Sequence, residues 1–125
     1  MTHAPRVLIV EDEDLVRDMI VHELTIAGFE VLEAASAEDA MTLVPKYDRL
    51  DLLFTDIRLP GMNGWQLAKQ IRGRYAEVPV IYASGYADLV QPLPHSKFLQ
   101  KPYRPSQVLQ AASNLGIKLP AIPPT

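Results

Sequence analysis

An open α/β fold, a doubly wound five-stranded parallel sheet with helices on both faces, is the architecture this sequence predicts. Short aliphatic or β-branched runs alternate with stretches whose apolar residues recur at helical spacing, from residue 6 to residue 115. The first and third runs are continuously apolar over 7–10 and 52–54, as strands covered on both faces require. Right-handed crossovers would bring the carboxyl ends of all strands to one edge. There the chain places Glu11, Asp12, Asp56, Ser84 and Lys101.

Taken in order, RVLIV at residues 6–10 is the first strand, and four acids at 11–14 follow it. Val16, Ile20, Leu24 and Ala27 stripe the first helix, with Leu15 and Met19 widening the stripe. Gly28 suits the position just past its end. Residues 29–32 read as the second strand. Ser36 and Asp39 have the spacing of a capping box, opening a helix over 37–44 that stops at Pro45. The third strand runs to Asp56, a Pro60-Gly61 loop turns, and Asn63-Gly64 opens the third helix. Leu67, Ala68, Ile71 and Tyr75 form that helix's apolar face. VPVIYA at 78–83 is the fourth strand and KFLQ at 97–100 a weaker fifth. Val108, Leu109, Ala112 and Leu115 stripe a last helix, with Pro105 in its first turn. One domain over residues 1–118 is expected, followed by a Pro-rich tail at 119–125.

Composition narrows the function classes. A formal net charge of −3 carries no basic footprint for direct nucleic-acid binding. The absence of Cys removes disulfides and thiolate metal sites, and is compatible with a cytoplasmic home. No apolar stretch approaches the roughly 18 residues of a membrane span. The first residues lack the layout of a signal peptide. His3, His22 and His95 show no metal-ligand spacing.

The residues at the strand ends admit two readings each. Open α/β sheets bind ligands at this edge, and a carboxylate against an apolar strand, such as Asp56, needs a compensating partner. Asp56 also fits a loop aspartate that accepts nearby backbone N–H groups. Glu11 and Asp12 fit either ligands or first-turn acids favoured by the helix dipole, the reading given to Glu13 and Asp14. Ser84-Gly85 fits an ordinary turn, and Lys101 a solvated lysine. Trp65 and Tyr75 read as packing residues.

Four motifs, LIVEDE with Glu11-Asp12, FTDIRLPGMNG with Asp56, IYASG with Ser84 and FLQKPY with Lys101-Pro102, decide the matter together. In this order, each ending a strand, they resemble the response regulator receiver domain of the CheY-like superfamily, up to about Gly116. The resemblance implies strand order 2-1-3-4-5 and Asp56 as phosphoacceptor. It implies Mg²⁺ held by Glu11, Asp12, Asp56 and the backbone carbonyl of Arg58. Ser84 would bind the phosphoryl group and Lys101 would pair with it, the Lys101-Pro102 peptide being cis. A histidine kinase or phosphotransfer protein would donate the phosphoryl group, and a downstream protein would read the switch. The chemistry is coherent. Two carboxylates 4 Å apart repel by roughly 4 kcal/mol at an effective dielectric near 20, so three either raise a pKa or recruit a cation. Oxygen-only ligands suit Mg²⁺, and a carboxylate can attack a phosphoryl group to give an acyl phosphate.

Two features depart from the usual receiver pattern. Only the 16 residues 85–100 separate Ser84 from Lys101, and they include Pro92 and Pro94. The helix expected there should therefore be short or missing, with residues 86–96 mobile and ordered on phosphorylation. Tyr82-Ala83-Ser84-Gly85-Tyr86 resembles the subgroup nicknamed FATGUY after its Phe-Ala-Thr-Gly-x-Tyr motif. The switch set becomes Ser84, Gly85, Tyr86 and Phe98, with Phe98 lacking a hydroxyl. Two rival classes stand beside the receiver: an aspartyl-phosphate phosphatase, and a pseudo-receiver that binds partners without phosphorylation. Against the former, a haloacid-dehalogenase-type site wants an acid two residues after its nucleophile, and position 58 is Arg.

Overall fold

The computed structural model describes residues 3–85 and 93–119. Five strands, β1 (Arg6–Val10), β2 (Glu30–Ala34), β3 (Leu52–Asp56), β4 (Val80–Ser84) and β5 (Ser96–Gln100), form one parallel sheet. Their order is β2-β1-β3-β4-β5, as expected. The described helices are α1 (Asp14–Ile26), α2 (Ala37–Leu43), α3 (Gly64–Arg74) and α4 (Pro105–Asn114).

Alternation along the strands builds two cores. Leu8, Val10, Leu53, Val80 and Tyr82 face α2 and α3 through Ala37, Ala40, Leu67, Ala68 and Ile71. Val7, Ile9, Phe54, Ile81 and Ala83 face α1 and α4 through Ile20, Leu24, Val108 and Ala112. β1, β3 and β4 are buried on both faces, which is why they read as continuous apolar runs. The edge strand β5 is largely exposed, so its pattern was faint in the sequence.

Local signals were mostly met. Gly28, at φ 110°, ends α1, and Pro105 is the first residue of α4. Ser36 caps α2 by accepting the Asp39 N–H at 3.0 Å, but the full reciprocal box forms at α3, between Asn63 and Gln66. As expected, α2 ends just ahead of Pro45, at Leu43, and Pro45 sits in the 3₁₀ turn, Val44–Lys46, that follows.

Two expectations need correction. Leu15 is 85% exposed and Met19 44%, so neither widens the buried stripe of α1. The segment expected to be mobile, 86–96, overlaps the start of β5 at Ser96, and its described end is hydrogen-bonded to the rest of the domain. Arg72 donates to the carbonyls of Pro94 (2.6 Å) and His95 (3.2 Å), and the His95 ring pairs with the Leu115 carbonyl at 3.0 Å. The rest of that connection, Tyr86 included, lies outside the described residues, as does the tail from residue 120.

Candidate functional site

The parallel register lines up the strand ends. Val10 pairs with Thr55, Asp56 with Ala83, and Ser84 with Gln100. Glu11 therefore emerges beside Asp56, and Lys101 follows the residue paired with Ser84. Carboxylate oxygens of Glu11, Asp12 and Asp56 lie within 4.8 Å of one another. Lys101 Nζ reaches across them, 2.8 Å from Asp56 Oδ2 and 2.9 Å from Glu11 Oε1. The Lys101-Pro102 peptide is cis, and the Lys101 N–H donates to the Ser84 carbonyl at 2.7 Å.

The acids differ in environment. Asp56 is buried, and that burial pushes its carboxyl up to about 7, with Lys101 opposing the rise and Glu11 adding to it. Glu11 is also buried, yet the Glu13 N–H on its Oε2 (3.0 Å) and the Lys101 ammonium hold it below its usual value. Asp12 is exposed at the mouth, and partial desolvation together with Glu11 raises it. Lys101 is only 23% exposed, but its two carboxylate partners outweigh desolvation and keep it firmly protonated. Three carboxylates against one ammonium leave an all-oxygen donor set with excess negative charge, which suits a hard divalent cation.

The loop after Asp56 is held from two sides. Gly64 donates to the Ile57 carbonyl at 2.9 Å, drawing the start of α3 against Asp56. Glu38 on α2 accepts the Met62 N–H at 2.9 Å, where Gly61 turns the chain at φ 74°. Arg58 lies in this loop with an exposed side chain, and Ser84 is buried at the end of β4. A β-carbon at Gly85 would meet no atom of the described residues within 4 Å, and its φ is not in the left-handed region. Phe98 stands on the edge strand, 45% exposed.

Reading the sequence missed the neighbouring wall. Tyr103 is buried edge-on to Phe54, with ring centroids 5.5 Å apart. Burial, with Glu11 and Asp56 nearby, pushes its hydroxyl well above the usual range. It lines a cavity of about 370 Å³ with Glu13, Val16, Met19, Lys101 and Pro102. The available signal was Met19, an apolar residue shortly after an acidic run, which helical spacing alone places with the core.

Residues 7–113 match the family model of the response regulator receiver domain. The transcriptional regulatory protein AruR of Pseudomonas aeruginosa is 32% identical over 124 residues, covering 92% of this chain and 50% of that protein. The sensor kinase CckA of Brucella abortus is 34% identical over 108 residues, 82% of this chain and 11% of that protein. The chain thus spans half or less of these curated relatives. A response regulator receiver protein from Sinorhizobium medicae superposes with a TM-score of 0.83 at 32% identity, covering 90% of this chain and 94% of that one. The receiver domain of the hybrid histidine kinase CckA gives 0.77 at 35% identity, covering 88% and 97%. By sequence, strand order and fold, the chain belongs to the response regulator receiver domain family, the signalling modules of two-component systems.

Proposed function

We propose that this chain accepts a phosphoryl group on Asp56 and thereby switches its binding of a downstream protein. The observation that carries the reading is the Lys101 ammonium shared between Asp56 and Glu11 amid three clustered carboxylates. Glu11, Asp12, Asp56 and the Arg58 carbonyl would hold Mg²⁺, and the oxygen donor set fits it. When bound, the ion offsets the negative charge of the acids and of the phosphoryl oxygens.

The chain's own groups do the rest. An Asp56 carboxylate oxygen attacks phosphorus in line, and the donor's bond to phosphorus breaks with its electron pair leaving on the donor. The Lys101 ammonium, already within hydrogen-bond reach of Asp56, pairs with a phosphoryl oxygen as charge accumulates. The Ser84 hydroxyl donates to another, coupling the modification to β4 and the connection beyond Gly85. Water attacking the acyl phosphate reverses the modification, so no external substrate need turn over.

A histidine kinase or phosphotransfer protein fits as donor, and half-exposed Met19 with Val16 and Pro102 offers it an apolar ledge next to Lys101. Such donors place the chain in the cytoplasm. No described helix is long and apolar enough to cross a membrane.

Incubation with acetyl phosphate and Mg²⁺, followed by intact mass measurement, tests the reading. A single phosphoryl adduct is expected. Hydrolysis of the donor without an adduct would indicate a phosphatase, and an unchanged protein and donor would indicate a binding module that is not phosphorylated.

A further inference from the structure

Arg17 lies on the first full turn of α1, with a side chain only 14% exposed despite its charge. Its guanidinium spans three segments. Nη1 donates to the Glu11 carbonyl at 2.8 Å, Nη2 to Asp14 Oδ1 at 2.8 Å, and Nε to Glu33 Oε1 on β2 at 3.2 Å. The Glu11 carbonyl belongs to the peptide that joins Glu11 to Asp12. Holding that oxygen restrains the peptide plane from which the Asp12 Cα departs, and so narrows the directions its side chain can take.

Asp12 needs such help more than its neighbours do. Glu11 is buried and its carboxylate is held by Lys101 and the Glu13 N–H, and Asp56 is buried at the end of β3. Asp12 is exposed at the mouth of the cleft. We propose that Arg17 is a positioning residue for Asp12, clamping the β1–α1 turn to β2 so that this carboxylate is aimed at the metal site before any ion arrives. The inference rests on the reading of Asp12 as a ligand given above.

The geometry calls for an arginine. Three acceptors on three segments are met by donors at fixed angles of one planar group, which a lysine ammonium cannot reproduce. Burial, the Glu13 N–H, Lys101 and Asp56 set the acidity of Glu11, and partial burial, Glu11, its own backbone N–H and Lys101 that of Asp12. Arg17 is therefore assigned to aim rather than to neutralise, and Arg17→Lys separates the two.

The test is Mg²⁺ titration calorimetry on the whole chain, comparing wild type with Arg17→Ala, Arg17→Lys, Glu33→Gln and Asp12→Ala. Amide exchange at Asp12 and Glu13 is measured without metal. Arg17→Ala and Arg17→Lys should weaken Mg²⁺ about ten- to a hundredfold, the range for residues that orient metal ligands. Glu33→Gln should give a smaller loss, and exchange at both amides should quicken in all three. At saturating Mg²⁺ the phosphorylation rate should return close to wild type, which a general loss of structure would not allow. Arg17→Lys carries the test if the alanine variant does not fold. Wild-type affinity in Arg17→Lys would overturn aiming in favour of charge. Weakened binding in Asp12→Ala with unaffected Arg17 variants would overturn the inference alone. Wild-type affinity in Asp12→Ala would overturn the ligand reading and the inference with it.

Discussion

Gly64 is packed so closely on Asp56 that a β-carbon there would collide with the Asp56 carbonyl oxygen and come within 2.9 Å of Ile57 Cα. Its φ is not the reason, since it begins an ordinary helix. Closeness is. The start of α3 can seat against the end of β3 only because nothing projects from this residue. Gly64→Ala should destabilise the fold by about 1–3 kcal/mol, the usual range for overpacking, and slow phosphorylation because the displaced backbone is that of Asp56. Urea unfolding measures the first effect and labelling from acetyl phosphate the second. A near-neutral variant would mean the loop yields freely.

The burial of Asp56 makes a pH prediction with a definite sign. Its folded value, about 7, lies above the unfolded carboxylate value, so the folded metal-free protein binds this proton more tightly. The stability this contributes is complete below about 4 and is lost as pH rises through 7. Glu11, shifted the other way, acts only below its ordinary value and stays outside this window. Metal-free protein should therefore weaken between about pH 4 and 7, while Asp56→Asn, left with only the raised Asp12 in this window, should weaken much less. Mg²⁺ competes with the same proton, so its affinity should climb up to about tenfold per pH unit below 7 and then level off. Unfolding and titration series at matched ionic strength check both, and a pH-independent affinity would contradict the assignment.

The ledge beside Lys101 separates protein donors from small ones. Met19→Asp places a charge on a side chain that is already 44% exposed, so stability should change by no more than about 1 kcal/mol. Transfer from a phosphorylated histidine protein should slow at least tenfold, while labelling by acetyl phosphate stays unchanged. Equal slowing with both donors would place the effect in the chemistry, not in docking.

The balance between what the sequence disclosed and what it concealed follows from range. β1, β3 and β4 announced themselves because burial on both faces leaves no polar residue to break the run. Their ends carried Glu11, Asp56 and Ser84, and parallel topology alone was enough to gather them. The width of a helical stripe carried no such certainty. Ile20 and Leu24 meet the sheet and α4, whereas Leu15 and Met19 lie beyond that contact, Met19 at the cavity beside Lys101. Periodicity records which residues share a face, not where the opposing surface stops. The clamp from Arg17 to the Glu11 carbonyl and the collision guarded by Gly64 are contacts with backbone atoms. No side-chain pattern encodes them.

Asp56 as the phosphoacceptor is the centre of the account, and Asp56→Asn tests it most directly, since the amide nearly matches the carboxylate in shape but is a poor nucleophile. Wild type and variant are incubated with a radiolabelled phosphodonor and Mg²⁺, and the stoichiometry of covalent label is measured alongside the circular dichroism of each. The account predicts up to one label per wild-type chain and none on a normally folded Asp56→Asn. Label retained by that variant would contradict it and move the acceptor to another residue.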